Sequence, residues 1–502
     1  MNKNEQFTVK IEDFSSEGLG IGKTGEGFVW FIKDTVIGDT VLAAATKVKK
    51  NYGFARLVKV LEKSDDRKEP ECAIARRCGG CQLQQMSYGA QLKFKQDKVY
   101  NNLHRIGEVD EELLNHVFEP IVGMAEPFRY RNKAQFPISR NKDGKIIAGF
   151  YAGRTHDVIE CEDCLLGVED NRVILDRIIG WMEDYDIEPY DEKTGRGLLR
   201  HVLIRKGLTT GQRMVCLVVN GTGLPHRDEL VNLLCGDRDT TTKDKSSGLA
   251  SGEHDGEAFG AGESNRKGSS EINEECGSLD VKVDSLSFSV NMERTNVIMG
   301  TKIVDLYGPG YIEDYIGDIR FRISPLSFYQ VNPVQTEKMY GAALEFADLK
   351  GTENVWDLYC GIGTISLFMS QKAKKVYGVE IIPEAIRDAM QNAEINGIRN
   401  AEFYVGAAEE VLPKWYDEHP RERIDVVCVD PPRKGCDEKA LATIVDMAPE
   451  KIVYVSCDSA TLARDVKYLR TKGYELRRVR AIDNFCQTVH VETVVLLTRQ
   501  NT

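Results

Sequence analysis

A chain of 502 residues has room for about three domains of ordinary size, and none of its apolar runs reaches the length a bilayer needs. The first residues, Met1 to Gln6, lack the apolar core of a secretory signal, so a cytoplasmic protein is expected. The 13 cysteines are an odd number without the density of a secreted disulfide scaffold, which points to metal binding and catalysis. The net charge of −12 does not exclude a nucleic-acid partner, because residues 237–280 carry 11 Asp or Glu against 5 Lys or Arg and the rest is far closer to neutral.

Residues 1–62 alternate in short β patterns (Phe7–Ile11, Gly27–Ile32, Thr40–Leu42, Ala55–Val60) separated by glycine turns, the signature of a small OB-like barrel. Lys47, Lys49, Lys50, Arg56 and Lys59 beside Tyr52 and Phe54 offer phosphate charge together with stacking rings. Cys72, Cys78 and Cys81 follow at C-x5-C-x2-C spacing, with two glycines that let backbone wrap a centre closely. Three thiolates need a fourth ligand, for which Cys161 and Cys164 are candidates, and soft thiolates fit an iron-sulfur cluster or zinc equally well. Ser87 to His104 reads as a bracing helix with exposed lysines. Phe128 to Phe136 alternates bases and aromatics, as an RNA-touching edge or an ordinary antiparallel strand would. Strand patterns at 146–151, 199–205, 214–219 and 281–290 make residues 63–322 a mixed α+β domain. The polar run 237–280 buries too little apolar surface to order itself and reads as a disordered insertion.

From 323 to 502 strands and helices alternate, with strands at 354–358, 375–379, 401–404, 424–429, 451–455 and 493–497, so a Rossmann-like α/β domain with a covered parallel sheet is expected. Asp357-Leu-Tyr-Cys-Gly-Ile-Gly-Thr364 leaves the first of these strands and opens a helix; Glu380 ends the second, where a carboxylate holds ribose hydroxyls. The loop lacks the last glycine of the dinucleotide fingerprint, which favours S-adenosylmethionine over a nicotinamide. Asp430-Pro-Pro-Arg-Lys-Gly435 forms a stiff lip at the fourth strand's end. Ile452–Val455 stops at Cys457, and Asp458 or Ser459 can cap the next helix, whose N-terminus should favour thiolate. Glu492 lies just before the last strand, which would bring it to the same edge.

The ordered set Cys72-x5-Cys78-Gly-Gly-Cys81, Phe328-Tyr-Gln-Val-Asn332, Asp357 to Thr364, Asp430 to Gly435, Val455-Ser-Cys-Asp458 and His490-Val-Glu492 resembles the RNA 5-methyluridine methyltransferase family, most closely its 23S ribosomal RNA branch with a TRAM domain and an iron-sulfur cluster. The resemblance implies that Cys457 is the nucleophile, that Glu492 is the proton acceptor, and that Gln330, Tyr359, Glu380 and Asp430 hold S-adenosyl-L-methionine. It also implies a [4Fe-4S] cluster on Cys72, Cys78, Cys81 and Cys164. The expected substrate is a uridine flipped from a loop or melted stretch of RNA, and the expected state is a monomer. The rival readings are a transfer-RNA uracil-C5 enzyme, a cytosine-C5 enzyme, which would carry Pro-Cys where Pro431-Pro-Arg433 stands, and a non-catalytic RNA-binding iron-sulfur sensor.

Overall fold

The structure is a computed structural model that describes residues 2–500 apart from 26, 154 and 237–280. The expected disordered insertion therefore lies outside the described residues. At the N-terminus, strands Gln6–Phe14, Gly20–Thr24, Phe28–Ile32, Thr40–Val48 and Tyr52–Glu62 close into a barrel. Alternation turns Phe7, Val9, Ile11, Trp30, Ile32 and Val41 inward. Outside, Phe31 lies across from Phe54, and ring centroids in the trio Phe31, Tyr52 and Phe54 are 5.5–5.8 Å apart.

A seven-stranded sheet forms the middle of the chain, running from Lys302–Tyr307 through Ser285–Val290, Arg213–Val219, Leu199–Lys206, Lys133–Arg140 and Ile146–Tyr151 to Val158–Glu160. In it Arg213–Val219 and Ser285–Val290 pair parallel and the other neighbours antiparallel. Helices Asp170–Asp184 and Arg227–Cys235 bury its apolar face. The basic-aromatic stretch starts as a strand only at Lys133. Before that Arg129 takes a positive φ of 54° and the chain turns toward Leu165 and Leu166.

The C-terminal sheet has eight strands, in the order Ala401–Val405, Lys375–Glu380, Asn354–Leu358, Val426–Val429, Lys451–Ser456, Glu492–Arg499, Tyr474–Ile482 and Phe118–Val122. The first five are parallel, whereas Glu492–Arg499 runs antiparallel to both of its neighbours. Strand order reverses between Asn354–Leu358 and Val426–Val429, and a doubly wound sheet opens its ligand crevice at that point. Phe118–Val122 joins from far up the chain, and helix Tyr88–Arg105 packs on helix Ser459–Thr471. Residues 88–122, grouped with the central domain by sequence, thus sit against this sheet. Among the described residues no helix is long and apolar enough to cross a membrane.

Candidate active site

The carboxyl edge of the C-terminal sheet opens into a cavity of about 1340 Å³. Its lining gathers Gln330, Tyr359, Glu380, Asp430, Cys457 and Glu492, residues drawn from six separate stretches of sequence. Cys457 follows the buried strand Lys451–Ser456 directly, and Asp458 caps the next helix by accepting from the amides of Ala460 (2.9 Å) and Thr461 (3.1 Å). Ser456 pairs with Thr493 at the end of the antiparallel ladder, so Cys457 and Glu492 are the chain neighbours of a bonded pair. Both line the cavity, and the Glu492 carboxyl acts electrostatically on the Cys457 thiol, although 35 residues separate them in the chain.

At the glycine turn the chain leaves strand Asn354–Leu358 with three positive φ values, Tyr359 at 68°, Gly361 at 54° and Gly363 at 83°. A Cβ on Gly361 would meet nothing within 4 Å, whereas one on Gly363 would press on Ala389 at 3.1 Å. The first glycine borders open space and the second lets the helix settle on its neighbour. Glu380 accepts from the amides of Gly361 (3.3 Å) and Ile382 (3.1 Å), which fixes its carboxylate beside the turn. Asp357 accepts from Ser366 Oγ at 2.5 Å and keeps its other oxygen buried without a partner.

Among the groups in this cavity that are shifted strongly upward are three carboxyls and the thiol of Cys457. Burial raises Asp430 to about 7, and burial with Asp430 nearby raises Glu492 to about 8. Asp357 rises to about 7 through burial, with Ser366 opposing. The Cys457 thiol is pushed up to about 12, first by burial and then by Glu492 and Asp430. The expectation that the helix N-terminus would favour thiolate thus fails before RNA arrives, because enclosure beside two carboxyl groups outweighs it. Arg433 opposes the rise at both Cys457 and Glu492. Sequence reasoning gave it no role, although it stands inside a motif already singled out.

The cysteines of the central region also converge. Cys164 acts electrostatically on Cys72, Cys78 and Cys81, and Cys81 and Cys164 pack against Tyr130, Leu166 and Cys486. Cys161 is buried next to Cys164. Among the described residues no three His, Cys, Asp or Glu side chains form a group that could hold a metal ion.

Comparison with known proteins places this geometry. Residues 312–500 match the family model described as tRNA (uracil-5-)-methyltransferase, and residues 2–58 match the TRAM domain. An uncharacterized RNA methyltransferase of Halalkalibacterium halodurans is 44% identical over 501 residues, which covers 100% of this chain and 98% of that one. The chain belongs to the RNA (uracil-5-)-methyltransferase family. A second family member, an uncharacterized RNA methyltransferase of Clostridium acetobutylicum, is 43% identical over 499 residues, 99% of this chain and 98% of that one. The crystal structure of the Pyrococcus abyssi tRNA (uracil-54, C5)-methyltransferase in complex with S-adenosyl-L-homocysteine shares the fold, with a TM-score of 0.72 at 24% identity over 98% of this chain and 99% of that one. The N-terminal barrel is accordingly the TRAM domain of a family enzyme, and the C-terminal sheet is its methyltransferase fold.

Proposed function

We propose that this chain, acting as a monomer in the cytoplasm, methylates C5 of a uridine in 23S ribosomal RNA through a covalent adduct between Cys457 and uracil C6. The observation that supports this most is that Cys457 and Glu492, chain neighbours of the last ladder pair Ser456 and Thr493, line one cavity with the glycine turn. Uracil C5 is too weak a nucleophile to take a methyl group unaided. Addition of the Cys457 sulfur to C6 pushes electron density onto C5. Once C5 carries the methyl group, Glu492 removes the C5 proton; the C–H electrons restore the C5–C6 double bond, and the Sγ–C6 bond breaks to return the thiolate. Arg433 eases loss of both the thiol and the carboxyl proton.

The glycine turn fits S-adenosylmethionine: Gly361 borders open space, Glu380 is fixed at the strand end, and Asp357 holds a buried oxygen in reserve. When bound, that cofactor supplies an electrophilic methyl group. Gln330, Tyr359, Glu380 and Asp430 are the residues we assign to holding it. On the TRAM barrel, exposed Lys47, Lys49, Lys50, Arg56 and Lys59 around the Phe31, Tyr52 and Phe54 rings fit a single RNA strand. Cys72, Cys78, Cys81 and Cys164 would hold a [4Fe-4S] cluster. What supports that reading is that Cys164, from a distant stretch of chain, lies close enough to act electrostatically on all three cysteines of the motif.

A transfer-RNA target is the second reading, favoured by the description of the matching family model. Methyl transfer from labelled cofactor to 23S fragments and to transfer RNA, with the product nucleoside identified, separates the two. We expect 5-methyluridine in the 23S fragment. Label in transfer RNA alone would favour the second reading. Label recovered as 5-methylcytidine, or no incorporation at all, would overturn both.

A further inference from the structure

Glu492 is reached through the loop Asp483–Val491, and the hydrogen bonds of that loop lead back to the cysteine motif. The amides of Gln82 and Leu83, immediately after Cys81, both donate to Gln487 O at 3.0 and 3.1 Å. Gln487 is buried and held at a φ of 67°, a left-handed conformation that costs a non-glycine residue about 1 kcal/mol and persists only when its surroundings enforce it. Gln91, buried on helix Tyr88–Arg105, supplies that enforcement: its Nε2 donates to Gln487 Oε1 at 2.9 Å and its Oε1 accepts from Gln487 N at 3.2 Å.

Other donors come from the same stretch of chain. Lys95 Nζ donates to Phe485 O (3.0 Å), Tyr130 OH to Cys486 O (2.9 Å) and Lys98 Nζ to Val489 O (3.0 Å). The carbonyls of Phe485, Cys486, Gln487 and Val489 are thus all held by residues 82–130, which start just after the last cysteine of the motif. Few of these donors belong to a recognisable motif, and none lines the cavity.

We propose that the cysteine-held segment is a clamp that sets the position of the proton acceptor, with Gln91 as its principal positioning residue. This rests on the reading of Cys457 as nucleophile and Glu492 as base. A loosened clamp leaves the Cys457 thiol, mounted on its own strand, free to add to C6. It impairs the later step, in which the C5 proton passes to Glu492, the double bond re-forms and the Sγ–C6 bond breaks. The clamp therefore governs how fast the adduct resolves and leaves its formation alone.

The test uses the full-length protein and an RNA carrying tritium at uridine C5, reading tritium released to water and protein–RNA complex that survives denaturant. For Gln91→Ala we expect release to fall by about tenfold or more, denaturant-stable complex to accumulate, and the KM values for cofactor and RNA to stay within about twofold. Gln91→Glu keeps the acceptor for Gln487 N, and the Gln487 amide can turn its NH2 toward it, but the bond to Met86 O is lost, so release should recover in part. Lys98→Met removes the bond to Val489 O from a half-buried position and should act in the same direction more weakly; it decides the matter if Gln91→Ala does not fold. Release and complex falling in parallel, or neither changing, would overturn the clamp. Wild-type protein that releases no tritium, with Glu492→Gln trapping no complex, would instead overturn the assignment of nucleophile and base.

Discussion

Raising the pH is the simplest perturbation of the site, and its effect can be worked from Glu492. The carboxyl is fully enclosed; burial and the neighbouring Asp430 lift it to about 8, with Arg433 opposing. For a group titrating near 8, the ionised fraction rises from about one tenth at pH 7 to about nine tenths at pH 9. A base that must be ionised to accept the C5 proton should therefore release tritium from adduct already formed on Cys457 about tenfold faster at pH 9 than at pH 7, levelling off above that. Glu492→Gln should show no such rise. Stability should run the other way. The folded value lies above the ordinary 4.5, so the contribution of the protonated carboxyl is complete below about 4.5 and is lost as pH rises through about 8. The Tm of the wild type should accordingly fall relative to Glu492→Gln between pH 6 and pH 9. A release rate that stays flat or declines from pH 7 to pH 9, with no widening gap in Tm, would refute the reasoning.

Lys95 and Asp483 form an ion pair at 2.5 Å with both side chains wholly buried, so Lys95→Met should destabilise by about 3–5 kcal/mol. Adding Asp483→Asn should recover part of that loss, which a double-mutant cycle on chemical unfolding would measure. Gly363→Ala forces a φ of 83° on a residue with a Cβ and presses it against Ala389, so it should cost about 1–3 kcal/mol and weaken cofactor binding by calorimetry. Replacing Tyr52 and Phe54 by alanine should lower single-stranded RNA affinity by about 1–3 kcal/mol per stacked base in a filter-binding assay while cofactor binding stays unchanged. Serine at Cys81 should abolish the iron content and the visible absorbance of anaerobically purified protein, and retained iron would remove Cys81 from the ligand set.

How much of this was legible in the sequence depended on whether a feature is local. Four of the five barrel strands, the glycine turn from Asp357 to Thr364 and the strand before Cys457 stand where their patterns put them, because period-two alternation, turn glycines and caps are nearest-neighbour effects, whereas strand Gly20–Thr24 falls on glycines that read as a turn. Strand Tyr474–Ile482 was passed over because Arg477, Arg478 and Arg480 mask its alternation; Arg478 and Arg480 are neutralised by Glu119 and Glu345, which come from distant segments. Phe118–Val122 carries a proline and was not read as a strand, a residue tolerated because this is a sheet edge. Helix Tyr88–Arg105 was read as displaying its lysines, yet Lys95 is fully buried, since only the fold brings Asp483 to it. The ionisation of Cys457 was misjudged for the same reason: a capped helix is visible in sequence, whereas enclosure beside Glu492 and Asp430 is not.

The measurement that bears most directly on the central claim is to identify the protein atom that joins the RNA. Glu492→Gln should be incubated with uridine-containing RNA and S-adenosylmethionine, denatured and digested, and its cross-linked peptides read by mass spectrometry. The account predicts a methylated uridine nucleotide on the peptide that contains Cys457. A nucleotide carried by Cys360, which also lines the cavity, or an adduct that persists in Cys457→Ala, would contradict it.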